Sequence, residues 1–393
     1  MCVDFFFFLG GFFLFFNLKK HSKNLRKKNF LGKIIFFLSA IIQRYLRLLP
    51  LYLIAIFFVS YTFPFLAEGS RSDLIYSSYD GCKNYWWANL LYIQNLIKYD
   101  DFKRTRCAPH TWYLGCDFYY FIIITFILIF LIDKKNLRNL ILKCLFFSCL
   151  IWQFTECLDN DYSTDYARKQ GGEENGKVFF DDFYCSLKAR IAPYIMGIFY
   201  CKLFFKTDLY KKNKANIIKN KENTISNNEN NQNKEKSLLK RINNYINNSK
   251  YLPIILLLIS YLQINYALLI WHVPQNYKMP KIYHAFAITI HKLILVNGVA
   301  GILHLLLLGN FNILMQILSC DIFSILSKFT FGIYLFHYFI AKLMIVNSEQ
   351  DFMFEFLNGS FIAFGVLIMS IIFTFFASVL FEIPLINLLR KRN

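Results

Sequence analysis

Long apolar segments alternate with short charged segments along most of the chain. A helix that crosses a bilayer needs roughly 20 mostly apolar residues, and nine windows approach or exceed that length. Lipid offers backbone groups no hydrogen-bond partner, and the alternating pattern of a barrel strand is absent, so the windows predict helices. The predicted fold is an all-α polytopic transmembrane helical bundle of about nine spans, at residues 1–16, 34–60, 111–132, 139–157, 187–206, 251–273, 285–308, 329–346 and 359–381.

The composition also indicates a membrane protein. The chain of 393 residues is 56% hydrophobic, contains 45 Phe and is only 18% charged, whereas soluble domains are roughly 45–50% apolar. The formal net charge is +19, but the basic residues lie between the apolar windows. We therefore attribute this charge to topology and to membrane lipids with anionic headgroups, and we expect no nucleic-acid partner.

The charged segments predict which side of the membrane each loop faces. Lys and Arg favour the cytosolic side, so the basic runs at 19–33, 134–138 and 390–392 predict cytosolic loops and a cytosolic C-terminus. The loops 61–110 and 158–186, the second rich in acids, are then expected on the lumenal or extracellular side. The sequence does not distinguish the endoplasmic reticulum from the plasma membrane.

One long polar segment divides the predicted helices. Residues 207–250 are rich in Asn and Lys and have too little apolar content to fold alone, so we interpret them as a disordered cytosolic linker. The linker separates a first membrane domain of five helices, 1–206, from a second of four helices, 251–393.

Two cysteines lie in the loop predicted to face away from the cytosol. Oxidation is permitted on that side, so we predict a disulfide between Cys82 and Cys107. It would close a loop of about 25 residues and stabilise it by ~3 kcal/mol in the chain-entropy model. Cys157 and Cys185 bracket the acidic loop and are a second candidate pair. No Cys and His residues stand at zinc-ligand spacing, so no metal site is predicted.

Two arginines precede a very apolar stretch. Arg44 and Arg47 are three residues apart and so share a helical face, and Pro50 just after them can kink the helix. Arg binds phosphate bidentately, which favours a basic cytosolic mouth for a phosphate-bearing donor. The alternative is that both are ordinary anchors at a helix end. Lys328 could add a donor contact or serve as an anchor.

Six motifs in the same order resemble the acyltransferase 3 family of integral membrane acyltransferases, and the third is similar to the subgroup called nose resistant to fluoxetine. The motifs are VDFFFFLGGFF at Val3–Phe13, RYLRLLPLY at Arg44–Tyr52, CKNYWWANLLYIQN…CAPHTWYLGCDFYYF at Cys82–Phe121, RIAPYIMGIFYC at Arg190–Cys201, LSKFTFGIYLFH at Leu326–His337 and FEIPLINLLRK at Phe381–Lys391.

The resemblance implies an O-acyltransferase, which moves groups other than amino-acyl groups. The implied donor is acyl-CoA on the cytosolic side, with no bound cofactor, and the implied acceptor is a hydroxyl of a lipid or other molecule. Arg44 and Arg47 match the arginines that hold the donor's phosphates in the family. The family's preceding helix, with its G-x-R and catalytic histidine, has no counterpart here, and Gly10 replaces a serine. We therefore expect one of two cases: the sequence is an N-terminally truncated piece of the protein, or the protein as written is impaired.

His110 is the best remaining catalytic candidate. Transfer to a hydroxyl needs a base, and His serves near neutral pH. Asp117 lies one to two turns further in an apolar run, where an ionisable group is costly and tends to have a role, so we expect it to orient a ring or an acceptor. The alternative is that His110 caps the helix start and Trp112 belongs to an interfacial aromatic belt.

We expect three further residues to be structural or to line the polar interior: Trp112, His337 and Glu382. His337 lies about mid-helix, and Glu382 is an acid among apolar residues. We expect Glu382 to pair with Arg44 or Arg47. Two other functions fit the same sequence: a transporter or lipid-handling carrier in which intramembrane Arg, Asp and His line a path, and a non-catalytic remnant.

Overall fold

The computed structural model describes residues 2–66, 73–97, 106–162, 164, 179–206, 246, 249, 251–270, 279–347 and 356–390. Within these residues the long elements are α-helices and no strand occurs, which confirms the all-α class. The helices are α1 (Cys2–Lys27), α2 (Phe30–Phe57), α3 (Asp73–Leu90), α4 (Trp112–Phe130), α5 (Lys135–Asp159), α6 (Ile191–Lys206), α7 (Leu252–Leu269), α8 (Lys281–Leu307), α9 (Asn312–Leu318), α10 (Asp321–Val346), α11 (Phe356–Ala377) and α12 (Ile383–Arg390).

Seven helical segments of the described chain are long and apolar enough to cross a membrane, which indicates a multi-pass integral membrane protein. They are Phe30–Leu66, Pro109–Phe130, Lys135–Asp159, Leu252–Leu269, Lys281–Leu307, Asp321–Val346 and Gly359–Leu385. The other two predicted windows, 1–16 and 187–206, are largely helical as well. They fall short of the length and composition of the seven because α6 has 16 residues and the second half of α1 is strongly basic.

Some sequence predictions fall outside the described residues. The predicted linker 207–250 does so except for Ile246 and Ser249. Residues 67–72 and 98–105 of the first predicted outer loop and 165–178 of the second are likewise outside them.

The chain forms two compact units whose segments alternate along the sequence. The first unit is Met1–Lys33 with Tyr119–Leu318, and the second is Ile34–Phe118 with Ser319–Asn393. Each unit therefore draws residues from both sides of the predicted linker.

The first unit is built on a close contact between α1 and α6. A Cβ atom on Gly11 of α1 would lie 1.9 Å from the carbonyl oxygen of Tyr194, and one on Gly197 of α6 would lie 2.0 Å from that of Phe8. Small residues allow such backbone approach between membrane helices. The buried Phe8 also packs against Val296 of α8, which adds a third helix to the core.

Aromatic side chains hold the second unit together. The ring of Phe63, just after α2, lies 5.5 Å from that of Phe339 on α10. The ring of Phe373 on α11 lies 4.8 Å from Phe336 of α10 and 5.1 Å from Phe58. These contacts pack α10 and α11 against the end of the segment that carries Arg44 and Arg47.

Candidate functional site

The second unit contains an ion pair inside a predicted span. The guanidinium of Arg44 on α2 pairs with the carboxylate of Asp117 on α4. The Asp117 side chain is 8% exposed and the Arg44 side chain 29%. Asp117 lies 13 residues before the end of α4 at Phe130, which is about 20 Å along a helix with a 1.5 Å rise. Asp117 therefore lies inside the segment Pro109–Phe130, nearer its start than its end.

The helix that carries the two arginines begins slightly earlier than the predicted window 34–60. α2 starts at Phe30, 14 residues before Arg44, and the cytosolic mouth expected at Arg44 and Arg47 stays a prediction. Arg47, one turn further along α2, is exposed. Pro50 is buried inside α2, which continues past it. The two arginines share a face of α2, and only Arg44 is fixed by a described carboxylate.

Buried polar groups surround this pair. Tyr92 has left-handed backbone geometry, with φ of 59°, and its ring stacks on Phe118 with the centroids 4.6 Å apart. Burial raises the pKa of the Tyr92 hydroxyl. Within the described residues, neither this hydroxyl nor Asp117 Oδ1 has a hydrogen-bond partner. Buried groups of this kind normally bind a ligand or water.

A hydrogen-bond network fixes the start of α4. The buried Thr111 hydroxyl donates to the carbonyl of Ala108 at 2.8 Å and accepts from the Tyr52 hydroxyl and the Asn89 amide, both at 3.0 Å. A hydroxyl has one donor and two acceptor positions, so all three are used. The Gln94 amide also donates to the Thr111 carbonyl at 3.0 Å.

The network joins the predicted disulfide. Cys82 and Cys107 are bonded, 25 residues apart in sequence, which confirms that pairing. The Asn89 amide donates to the Cys107 carbonyl at 2.8 Å. The second candidate pairing was wrong, because Cys157 and Cys185 are buried and neither forms a disulfide. The disulfide and the network together hold the segment before His110 against α3.

His110 lies among aromatic side chains of α10. The Nε2 atom of His110 is 3.0 Å from the carbonyl oxygen of Leu335, and the Tyr334 hydroxyl donates to the backbone carbonyl of His110 at 2.7 Å. The His110 ring stacks on Tyr338 with the centroids 4.7 Å apart, and the ring of His337 is 5.9 Å away.

Hydrogen bonding identifies the tautomers of His110 and His337. A carbonyl oxygen only accepts, so Nε2 of His110 carries the proton and Nδ1 carries the lone pair. Nδ1 has no hydrogen-bond partner within the described residues. In His337 the relation is reversed, because Nδ1 faces the carbonyls of Tyr334 at 2.8 Å and Ile333 at 3.1 Å. His110 thus presents a nitrogen that can take a proton.

The structure does not bring all predicted site residues together. His110 forms no hydrogen bond with Asp117, seven residues further along; the carboxylate contacts Arg44 instead. Trp112 is 5% exposed, so it is buried rather than part of a surface belt, and its carbonyl accepts from Asn95 at 2.7 Å. Lys328 is exposed near the start of α10. No described contact links Lys328 to either arginine.

The expected pairing of Glu382 was wrong. Arg44 pairs with Asp117, and Glu382, half-buried after α11, forms no ion pair with any described residue. Glu382 lies at a short π-helical turn before Pro384. Sequence position among apolar residues identified it as unusual but could not identify its neighbours.

The first unit holds a polar centre that the sequence analysis missed. Arg190 donates from Nη1 to both carboxylate oxygens of Asp4, at 2.8 and 2.6 Å, and both residues are almost fully buried. Lys292 is 3% exposed, and its ammonium donates to the side-chain oxygen of Gln153 at 2.7 Å. Asp4 and Arg190 belong to two of the quoted motifs, and ionisable residues within apolar windows were the available signal.

No group of three or more His, Cys, Asp or Glu side chains within the described residues has metal-binding geometry.

Comparison with known proteins supports one family. The acyltransferase 3 model, described as an acyltransferase domain, matches residues 1–382. The chain is similar to Nose resistant to fluoxetine protein 6 of Caenorhabditis elegans, with 29% identity over 141 residues. That alignment covers 33% of this chain and only 16% of the relative. No solved structure matches. These findings confirm the resemblance found in the sequence motifs.

Proposed function

Since the chain belongs to the acyltransferase 3 family, whose model it matches over residues 1–382, we propose that it is a membrane acyltransferase. The donor is an acyl-CoA-type thioester supplied from the cytosolic side. The acceptor is a hydroxyl of a lipid or other molecule. The family match carries this proposal, and the geometry of the second unit supports it by offering a base and a cation inside a span.

His110 is the proposed base. Its Nδ1 lone pair takes the proton of the acceptor hydroxyl while the hydroxyl oxygen attacks the thioester carbonyl carbon. The tetrahedral intermediate then expels the thiolate as the carbon–sulfur bond breaks, and the His110 imidazolium returns the proton to the sulfur. The products are an ester and free thiol, with His110 regenerated. A positioned base of this kind contributes about 10²- to 10⁴-fold in rate.

Arg44 and Arg47 are the proposed donor-binding residues. An intramembrane charge is costly and is usually held by a partner, and Asp117 holds the Arg44 guanidinium in one orientation. Arg47, exposed one turn away, offers a second planar fork for a phosphate. Asp117 lies seven residues from His110, about 10 Å along the helix. The donor would therefore extend from the arginines toward His110, and Lys328 is proposed as a further contact.

A cavity in the second unit suits an amphipathic acceptor. Its volume is about 430 Å³, within the range of roughly 300–1,000 Å³ that ligand pockets show. Leu53, Phe57 and Trp86 supply apolar walls, and Tyr61, Tyr79 and Lys83 supply polar groups. Apolar walls with few polar groups favour a lipid-like acceptor over a sugar.

The test measures loss of thioester and appearance of labelled ester with the purified chain in lipid nanodiscs and acyl-CoA labelled in its acyl group. We expect His110→Gln to lower the transfer rate by about 100-fold or more. His304→Gln, on α8 in the first unit, is the matched control and should leave the rate within about twofold, because His304 lies outside the proposed site.

The outcomes separate the parts of the proposal. If wild-type protein consumes no thioester with any hydroxyl acceptor, acyl transfer is overturned, and movement of solute without thioester loss would instead support a carrier. If the wild type is active and His110→Gln is equally active, the base is another residue. Unchanged donor KM in Arg44→Lys and Arg47→Lys would contradict the donor-binding role.

A further inference from the structure

A small cavity in the first unit lies where α1 ends, α4 ends and α5 begins. Its volume is about 60 Å³. Leu25, Ile129 and Ile132 form part of its wall and are at most 5% exposed. The lining also includes Ser22 and four basic residues: Lys19, Arg26, Lys135 and Arg138. The cavity therefore combines an apolar floor with four cationic groups.

The positive charges around this cavity are poorly balanced. None of its lining residues is acidic. The carboxylate of Asp133 contacts Arg26 at 3.9 Å, and it also contacts Lys33, which is outside the cavity, at 3.2 Å. Lys19, Lys135 and Arg138 form no ion pair with any described residue. The repulsion between these groups would be relieved by an anion.

Two further features support an anion. Burial, with the positive charges of Arg26, Lys135 and Arg138, lowers the pKa of Lys19. The Nε atom of Arg138 is buried and has no hydrogen-bond partner within the described residues. Arg presents its N–H groups as a planar fork that matches phosphate oxygens, and Lys adds a point charge. This donor set is typical of a phosphate site.

We propose that the cavity formed by Lys19, Arg26, Lys135 and Arg138 binds a single phosphate group, carried either by the acyl-CoA-type donor or by the headgroup of an anionic phospholipid. A water needs roughly 10–15 Å³ of such volume, so the cavity accommodates a group of a few heavy atoms and not a whole nucleotide. The donor source rests on the proposed function, whereas the lipid source does not.

The positive-inside rule alone also places basic residues near a cytosolic helix end. Neighbours of the lining residues allow the two explanations to be separated. Lys20 follows Lys19 but lies outside the cavity, with its ammonium 4.6 Å from the centroid of the Phe16 ring. Lys134 precedes Lys135 and is also not part of the lining. Removing Lys20 and Lys134 changes net charge without changing the cavity.

The experiment compares two double variants of the full chain in phosphatidylcholine nanodiscs. K19Q/R138Q removes two positive charges from the cavity, and K20Q/K134Q removes two from outside it. The first arm measures the affinity for CoA and for dephospho-CoA by calorimetry. The second arm measures retention of phosphatidic acid, relative to phosphatidylcholine, by native mass spectrometry. Size-exclusion profile and thermal midpoint check that each variant is folded.

We expect K19Q/R138Q to lower binding of at least one phosphate-bearing probe by about tenfold or more, because charge-assisted hydrogen bonds are the strong ones. K20Q/K134Q should change the binding of these probes by no more than about twofold, because exposed charges contribute little to binding energy. Weaker CoA binding with unchanged retention of phosphatidic acid assigns the phosphate to the donor. Weaker retention of phosphatidic acid with unchanged CoA binding assigns it to the lipid headgroup. If K19Q/R138Q does not fold, the single variants K19Q and K135Q are compared with K20Q and K134Q in the same two arms.

Equal effects of cavity and control variants on both probes would overturn the proposal and leave a general surface charge. Thioester consumption is measured in parallel to separate this result from the proposed function. An active enzyme whose CoA and phosphatidic acid binding ignores the cavity contradicts only the phosphate site. Cavity-dependent phosphatidic acid binding without thioester loss contradicts only acyl transfer.

Discussion

At the scale of single residues, each unit carries an ion pair whose members come from the family motifs; the pair is buried in the first unit and part-buried in the second. Asp4 pairs with Arg190 in the first unit, and Arg44 pairs with Asp117 in the second. Such pairs contribute little net stability, because desolvation offsets their attraction. Removing one partner is costly, since it leaves an uncompensated charge in a medium that solvates it poorly. We infer that their role is to specify which helices pack together.

The Asp4–Arg190 pair predicts a large effect of a small change. Asp4→Asn keeps the shape of the side chain but removes its charge, so Arg190 remains buried without its counter-charge. We expect a loss of roughly 3–5 kcal/mol in the free energy of unfolding, the usual cost of breaking a buried pair. Unfolding of the purified protein in mixed micelles by denaturant measures it.

Asp133→Asn is the control for that experiment. Asp133 also pairs with basic residues, but its side chain is 58% exposed, and exposed pairs contribute at most about 1 kcal/mol. Similar losses in the two variants would mean that the Asp4–Arg190 contact is not a buried pair in the protein.

The sequence identified Asp117 as costly but missed Asp4, Arg190 and Lys292, although all lie within predicted apolar windows. Each of these three is also an ionisable residue in an apolar window, where such a group is costly. What the sequence could not supply was the partner, because 186 residues separate Asp4 from Arg190 and only the packing of α1 on α6 brings them together. The wrong pairing of Glu382 with Arg44 has the same cause.

At the scale of elements, hydrophobic length predicted most helices because lipid leaves no alternative to the helix. It placed the start of α2 at residue 34, whereas α2 begins at Phe30. Arg44 lies inside the helix with either start. Length and composition carry no information on which turn of α2 faces α4.

The disulfide was predictable because loop location limits where oxidation occurs.

The contact between α1 and α6 predicts that two glycines tolerate no side chain. A methyl group on Gly11 or Gly197 would meet a backbone carbonyl at about 2 Å, which cannot move without separating the helices. We expect Gly11→Ala and Gly197→Ala each to destabilise the protein by roughly 1–3 kcal/mol, as overpacking of a close-packed core does. Thermal midpoints in the same micelles measure the effect.

Gly359→Ala is the matched control on α11. No atom lies within 4 Å of the position its Cβ would occupy, and Ala is favoured over Gly in a helix by about 1 kcal/mol. An unchanged or raised midpoint is therefore expected. If Gly11→Ala and Gly197→Ala behaved like this control, the close approach of α1 and α6 would be excluded.

At the scale of the whole molecule, topology depends on whether the segment 187–206 crosses the membrane. The helix α6 has 16 residues, about 24 Å at a 1.5 Å rise, and a 3-10 turn at Leu187–Ala189 precedes it. The hydrocarbon core is about 30 Å thick. The charge pattern requires the crossing, because acidic residues 158–186 precede the segment and Lys-rich residues 207–250 follow it.

We therefore predict that these two segments face opposite sides of the membrane, with 207–250 on the same side as the C-terminus. The positive-inside bias places the Lys-rich segment in the cytosol.

A single epitope tag inserted within 165–175 should be reached by antibody or protease only from the lumenal or extracellular side. A tag within 220–235 and one after Asn393 should be reached only from the cytosolic side. Accessibility of the 165–175 and 220–235 tags from one side would show that 187–206 does not cross. The segments before and after it would then share a compartment, and the assignment of the donor to the cytosolic side would have to be made again from the remaining spans.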